Sequence, residues 1–196
     1  MIRNHGRIPH AVARILVKVA EAAALKIGKS MAIAVVDAEG GLQLFTRMDG
    51  TLPVSSELAV SKAYTAAILR MTSVEVGRLA QPGAALYGIE STHGGKIILF
   101  GGGVPLRLNG EVAGAIGVSG GSVEEDVSVA TPAAELLQEM ECCANNFEDA
   151  LPREMSGIPD LGRVTDELRK VLEQVTPTVP ENRIAAVAGG VCLALL

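Results

Sequence analysis

Three histidines, His5, His10 and His93, are the side chains best suited to hold a metal, because a neutral imidazole is a good ligand for iron. His10 opens the first helical stretch and His93 lies in a loop before a later apolar run. No second ligand is spaced beside either, so the competing reading of each is a polar surface residue. Cys142 and Cys143 project about 100° apart on a helix end, which suits redox chemistry or packing better than one shared metal. Arg47 and Asp49 flank Met48 on a turn; they could orient an anion, but a loop salt bridge is the simpler expectation. Gly101, Gly102 and Gly103 interrupt a strand-like stretch, where the missing side chains permit either a bulge or a close backbone approach by a ligand or another chain.

The familiar motifs for nucleotide and acyl chemistry are missing. Gly94-Gly95-Lys96 is followed by Ile97 where a phosphate loop needs Ser or Thr, and Glu90 stands where its first glycine belongs. Gly114, Gly117 and Gly120 recur every third residue inside a strand pattern, unlike the dinucleotide fingerprint. Ser119-Gly120-Gly121 lacks the residues that precede a nucleophile elbow. With no recognisable pairing of base and nucleophile, catalysis ranks behind binding.

These residues must be positioned by elements that periodicity reveals. Ile8, Val12, Ile15, Leu16, Val19 and Ala23 recur at helical spacing, with Pro9 tolerated in the first turn and Gly28 available to end the helix. Met31 to Asp37 and Leu42 to Arg47, joined by Ala38-Glu39-Gly40-Gly41, read as a hairpin. Ser56 to Arg70 returns to helical spacing with a small-residue stripe at Ala59, Ala63, Ala66 and Ala67 that permits close packing on a sheet. Thr72-Ser73-Val74-Glu75 and Ser122-Val123-Glu124-Glu125 have capping-box spacing, so a short helix to about Gln81 and a long one toward Glu141, breakable at Pro132, should begin there. Lys96 to Phe100 is a strong strand candidate, and Asn109-Gly110 joins Val104–Leu108 to a returning strand, Glu111–Ser119. Hairpin-joined strands with grouped helices indicate an α+β fold with an antiparallel sheet.

Composition narrows the partners. The 196 residues are 48% apolar, enough for one core-bearing domain with an appendage. A net charge of -5 argues against nucleic acid, and the low aromatic content of 3% argues against a stacking platform. The amino terminus lacks the apolar run of a secretory signal. The longest apolar run, Ile184 to Leu196, would rise only about 20 Å as a helix, too short to span a bilayer, so no membrane partner is expected. Three cysteines without a framework suit a reducing cytoplasm. From about Cys142 four prolines punctuate the chain around one amphipathic stretch, Leu161 to Val175, which divides it into a domain over 1–141 and an extension of linker, helix and apolar tail over 142–196.

Seven collinear runs carry a resemblance. They are Ala34-Val35-Val36-Asp37-Ala38-Glu39-Gly40-Gly41, Arg47-Met48-Asp49-Gly50, Lys62-Ala63-Tyr64-Thr65-Ala66-Ala67, Ala80-Gln81-Pro82-Gly83, Leu86-Tyr87-Gly88-Ile89, Phe100-Gly101-Gly102-Gly103-Val104-Pro105-Leu106 and Gly114-Ala115-Ile116-Gly117-Val118-Ser119-Gly120-Gly121. Together, from about Ile8 to Leu137, they resemble the GlcG/HbpS/PduO C-terminal family. The resemblance implies a profilin-like fold with a five-stranded antiparallel sheet flanked by helices, homo-oligomers, and a binding or accessory role beside propanediol, glycerol or glycolate catabolism. Several members bind haem. The resemblance makes His10 the expected axial metal ligand by position and Thr92 or His93 a second choice. Asp37, Arg47, Lys62, Tyr64 and Gly101 to Gly103 either line the ligand pocket or define the fold. Pro132 and the segment from about Cys142 depart from the family pattern and bear on the oligomeric state.

The leading expectation is a homo-oligomeric, cytoplasmic protein that binds haem, a related tetrapyrrole or another small molecule. The alternative is a non-catalytic docking or assembly partner of a corrinoid-dependent enzyme, with the apolar tail as its contact. A small enzyme acting on a hydroxy acid or aldehyde ranks last.

Overall fold

A computed structural model describes residues 8–146 of the chain. The expected extension beyond them, including the 161–175 helix and the apolar run 184–196, lies outside the described residues. Helix α1 (His10–Lys26) precedes the hairpin β1 (Ala32–Asp37) and β2 (Leu42–Arg47). Helices α2 (Pro53–Leu69) and α3 (Ser73–Leu79) follow, then two short 3-10 turns at Ile89–Ser91 and His93–Gly95. The hairpin β3 (Gly103–Leu108) and β4 (Glu111–Ser119) leads into α4 (Val123–Asn146).

Local chemistry sets several of these boundaries. Thr72 accepts from the Glu75 amide while the Glu75 carboxylate accepts from the Thr72 amide, which closes the capping box of α3. Ser122 and Glu125 repeat the arrangement at the start of α4. Asn109 and Gly110 both have positive φ, as a tight two-residue hairpin requires. Helix α4 runs through Pro132 without interruption, although the missing proline N–H deprives the Ser128 carbonyl of its helical partner.

The four strands form one antiparallel sheet in the order β2-β1-β4-β3. The fifth strand expected over Lys96–Phe100 is not formed. Thr65 on α2 engages that segment's backbone instead, accepting from the Ile98 amide at 2.9 Å, while its proton is shared between the Ser61 carbonyl of its own helix at 2.7 Å and the Lys96 carbonyl at 3.3 Å. The Leu99 carbonyl meanwhile lies so close to Gly77 of α3 that a Cβ there would overlap it. A β-rich sequence is thus held against two helices by one hydroxyl and one glycine, and never reaches the sheet edge.

The small-residue stripe of α2 packs where it was expected. Ala59, Ala63, Ala66 and Ala67 meet Ala32, Ala34 and Val36 of β1 and Ala115 of β4 in one buried layer. At Gly117 of β4 the approach is closest, since a Cβ would overlap the Ala59 carbonyl oxygen and sit 2.5 Å from the Ala63 nitrogen. Alternation sends Ile33 and Val35 to the other face, together with Thr46, the partner of Ile33 across the hairpin. There Thr46 donates to Glu21 of α1, which packs on β1 and β2 through buried Leu16, Val17 and Ala20.

Two stability outcomes follow from this packing. Gly117→Ala should cost at least about 2 kcal/mol in urea unfolding, because backbone on both sides must move. Gly83→Ala, with positive φ but open space around it, should cost about 1 kcal/mol. The Thr72 amide and hydroxyl hold the Glu75 carboxyl below its ordinary value of 4.5. Its contribution is therefore complete above that value and lost as pH falls through the lower folded-state value. Glu75→Gln should flatten the acid limb of melting temperature against pH.

Candidate functional site

The most constrained charge in the described residues is Lys62. Its side chain is 0% exposed, yet its ammonium donates to the Asp126 carboxylate at 2.6 Å and to the Val118 carbonyl at 3.0 Å. The Phe100 ring lies 5.0 Å away, close enough for a cation–π contact. The other Asp126 oxygen accepts from the Gly120 and Gly121 amides at 3.0 and 2.9 Å. Burial pulls the Lys62 ammonium below its ordinary value of 10.5, opposed by the hydrogen bond and charge of Asp126.

The glycine run closes over this pair. A Cβ at Gly102 would sit 2.9 Å from the Lys62 nitrogen and 3.0 Å from the Asp126 Cβ, and its φ of +115° is one that L side chains rarely adopt. Gly103 abuts the Lys62 carbonyl, and Gly101 lies against Val74, Val123 and Val127. Protein atoms therefore fill the space that the three missing side chains leave.

The remaining expected residues lie at the surface. Tyr64 projects from α2, its hydroxyl 2.9 Å from His93 Nδ1 in a hydrogen bond. The two rings stand edge to face with centroids 6.0 Å apart. Lys96 Nζ lies 5.6 Å from the centre of the Tyr64 ring. Thr92 is exposed and donates its hydroxyl to the Ile89 carbonyl at 2.6 Å. His10 is exposed at the first position of α1 and makes no hydrogen bond or ion pair among the described residues. Arg47 donates to the Thr51 carbonyl at 2.8 Å rather than pairing with Asp49, so the expected loop salt bridge is replaced by a bond that closes the turn before α2. Asp37 is likewise spent on its own turn, accepting from Glu39 and Gly41.

The structure thus brings Tyr64, Thr92 and His93 to one region through the α2 surface and the 3-10 turns. Sequence reasoning missed Asp126 and Lys96. Lys62 carried a signal, a lone cation within an alanine stripe that packs on a sheet, but nothing local pointed to a partner 64 positions later. No group of three potential metal ligands occurs among the described residues. No helix among them is long and apolar enough to cross a membrane.

Fold and site together define a small α+β domain, locked internally by a buried ion pair and carrying imidazoles on its surface. The chain belongs to the family described as haem degrading protein HbpS-like, which it matches over residues 8–135. It is 42% identical over 130 residues to the uncharacterized 15.0 kDa protein of the dhaT-dhaS intergenic region of Citrobacter freundii, covering 66% of this chain and 92% of that protein. It is also 46% identical over 101 residues to the corrinoid adenosyltransferase PduO of Salmonella typhimurium, which is 52% of this chain but only 30% of the transferase. Among solved structures it resembles the PduOC–haem complex, with 39% identity and a TM-score of 0.64 over 66% of this chain and 94% of that one.

Removing the ammonium tests the ion pair. Lys62→Met should cost about 3–5 kcal/mol in denaturant unfolding, because it leaves the Asp126 charge buried without its partner.

Proposed function

We propose that this protein binds haem or a related tetrapyrrole as an accessory protein, with His10 as the axial ligand. The reading rests chiefly on the similarity to the PduOC–haem complex. The family description, which names haem, supports it as well. The donor set fits such a group. His10 presents an exposed imidazole with neither nitrogen engaged among the described residues, and a nitrogen ligand of that kind suits iron. His93 has a free Nε2 lone pair in the tautomer whose Nδ1–H donates to Tyr64, and the Thr92 oxygen retains lone pairs while its proton is donated. Arg47 uses one nitrogen on Thr51 and has further N–H groups for a carboxylate. Bound haem would supply a redox-active iron and the absorption band by which binding is read.

In this reading the described residues hold the macrocycle, while Lys62 and Gly101 to Gly103 keep the fold that presents them. The proposal includes a homo-oligomeric assembly, a cytoplasmic setting beside propanediol, glycerol or glycolate catabolism, and division into a binding domain over 1–141 and an extension over 142–196.

An absorption titration with haemin tests the reading. The unaltered chain should give a saturable Soret shift, His10→Ala should lose it, and His93→Ala should retain it. Loss in His93→Ala alone would move the ligand to the 3-10 turn, and no shift in the unaltered chain would sink the haem reading.

A further inference from the structure

We propose that Tyr64, His93 and Lys96 form a carboxylate-binding subsite on the outer face of α2. The argument begins with proton counting. A phenol and a neutral imidazole bring two polar hydrogens, and their mutual hydrogen bond at 2.9 Å consumes one. If Tyr64 donates, the His93 Nε2–H remains; if His93 donates, the Tyr64 O–H remains. Either tautomer leaves one donor for an external acceptor. Lys96 adds an ammonium 5.6 Å from the Tyr64 ring centre, with no ion pair to a carboxylate among the described residues. A neutral donor beside a cation selects a small anion, and a carboxylate offers two acceptor oxygens to use both.

The backbone supports the arrangement. Tyr64 is seated over Gly40, where a Cβ would stand 2.5 Å from its ring carbon Cδ2, so any side chain there displaces the ring. His93 holds φ at +52°, a left-handed conformation costly for a residue with a side chain. Gly94 and Gly95 follow with positive φ and nothing within 4 Å of their Cβ positions, which leaves the approach open. The subsite does not require a tetrapyrrole. Where that reading holds, the carboxylate is a propionate of the macrocycle; otherwise it is a free organic acid.

The test uses the full chain, its Lys96→Gln variant and Tyr64→Phe, which keeps the ring but removes the hydroxyl. The probes are haemin, haemin dimethyl ester and free propionate, with chloride at equal ionic strength as control. For a propionate of the macrocycle, Lys96→Gln should weaken haemin about fivefold and leave the ester unchanged, with Tyr64→Phe acting in the same direction. For a free acid, propionate but not chloride should shift the His93 ring resonances saturably, and Lys96→Gln should abolish the shift. That second result in a chain that does not bind haemin would end the tetrapyrrole reading and keep the subsite. If Lys96→Gln changes neither haemin affinity nor the propionate response, or weakens haemin and its ester equally, the subsite is overturned.

Discussion

An ammonium without solvent contact must be surrounded by acceptors, and in this fold that requirement falls on Lys62. Its acceptors come from the end of β4 and from the first turns of α4, while Phe100 and Gly102 cover it from the segment entering β3. Helix α2, strand β4, helix α4 and the glycine run therefore converge on one atom. Apolar residues of similar volume could fill the same space with equal or greater stability. What they could not do is fix direction. Asp126 turns one oxygen to Lys62 and the other to the Gly120 and Gly121 amides, so the turn out of β4 and the start of α4 take their placement from a side chain of α2.

Features decided within a few residues were legible in the sequence. Both capping boxes, the Asn109-Gly110 hairpin and the alanine stripe of α2 depend on contacts or spacings that a short window contains. Lys96–Phe100 failed for the opposite reason. Its composition favours a strand, but the outcome rests on Thr65, some 30 positions earlier, and on Gly77, whose lack of a side chain admits the Leu99 carbonyl. The same limit applies at the site. Tyr64 and His93 were each identifiable by residue type, whereas their hydrogen bond spans 29 positions and follows from where α2 ends relative to the 3-10 turns. Lys96 was concealed at the head of a run read as strand.

The packing also constrains where a ligand of macrocycle size can sit. Alanines and Gly117 bring α2 so close to β1 and β4 that this layer has no room for one. The glycine run, the other sequence feature that invited a ligand, is filled by Lys62 and by valines from α3 and α4. The two imidazoles among the described residues, His10 and His93, are on the outside, at the start of α1 and in the 3-10 turn, while His5 lies outside the described residues.

A macrocycle held on such a surface buries one face and leaves the other in water, which forfeits much of the stabilisation that apolar burial would give. Full burial needs a second surface, and in a symmetric assembly another copy of the same chain supplies it. Ligand binding and subunit association then become linked equilibria: whatever binds the assembled form more tightly must also favour assembly. If the proposed haem site lies on this surface, ligand affinity would be a property of the assembly as much as of His10. Changes at a subunit contact would alter affinity without touching any residue that meets the ligand.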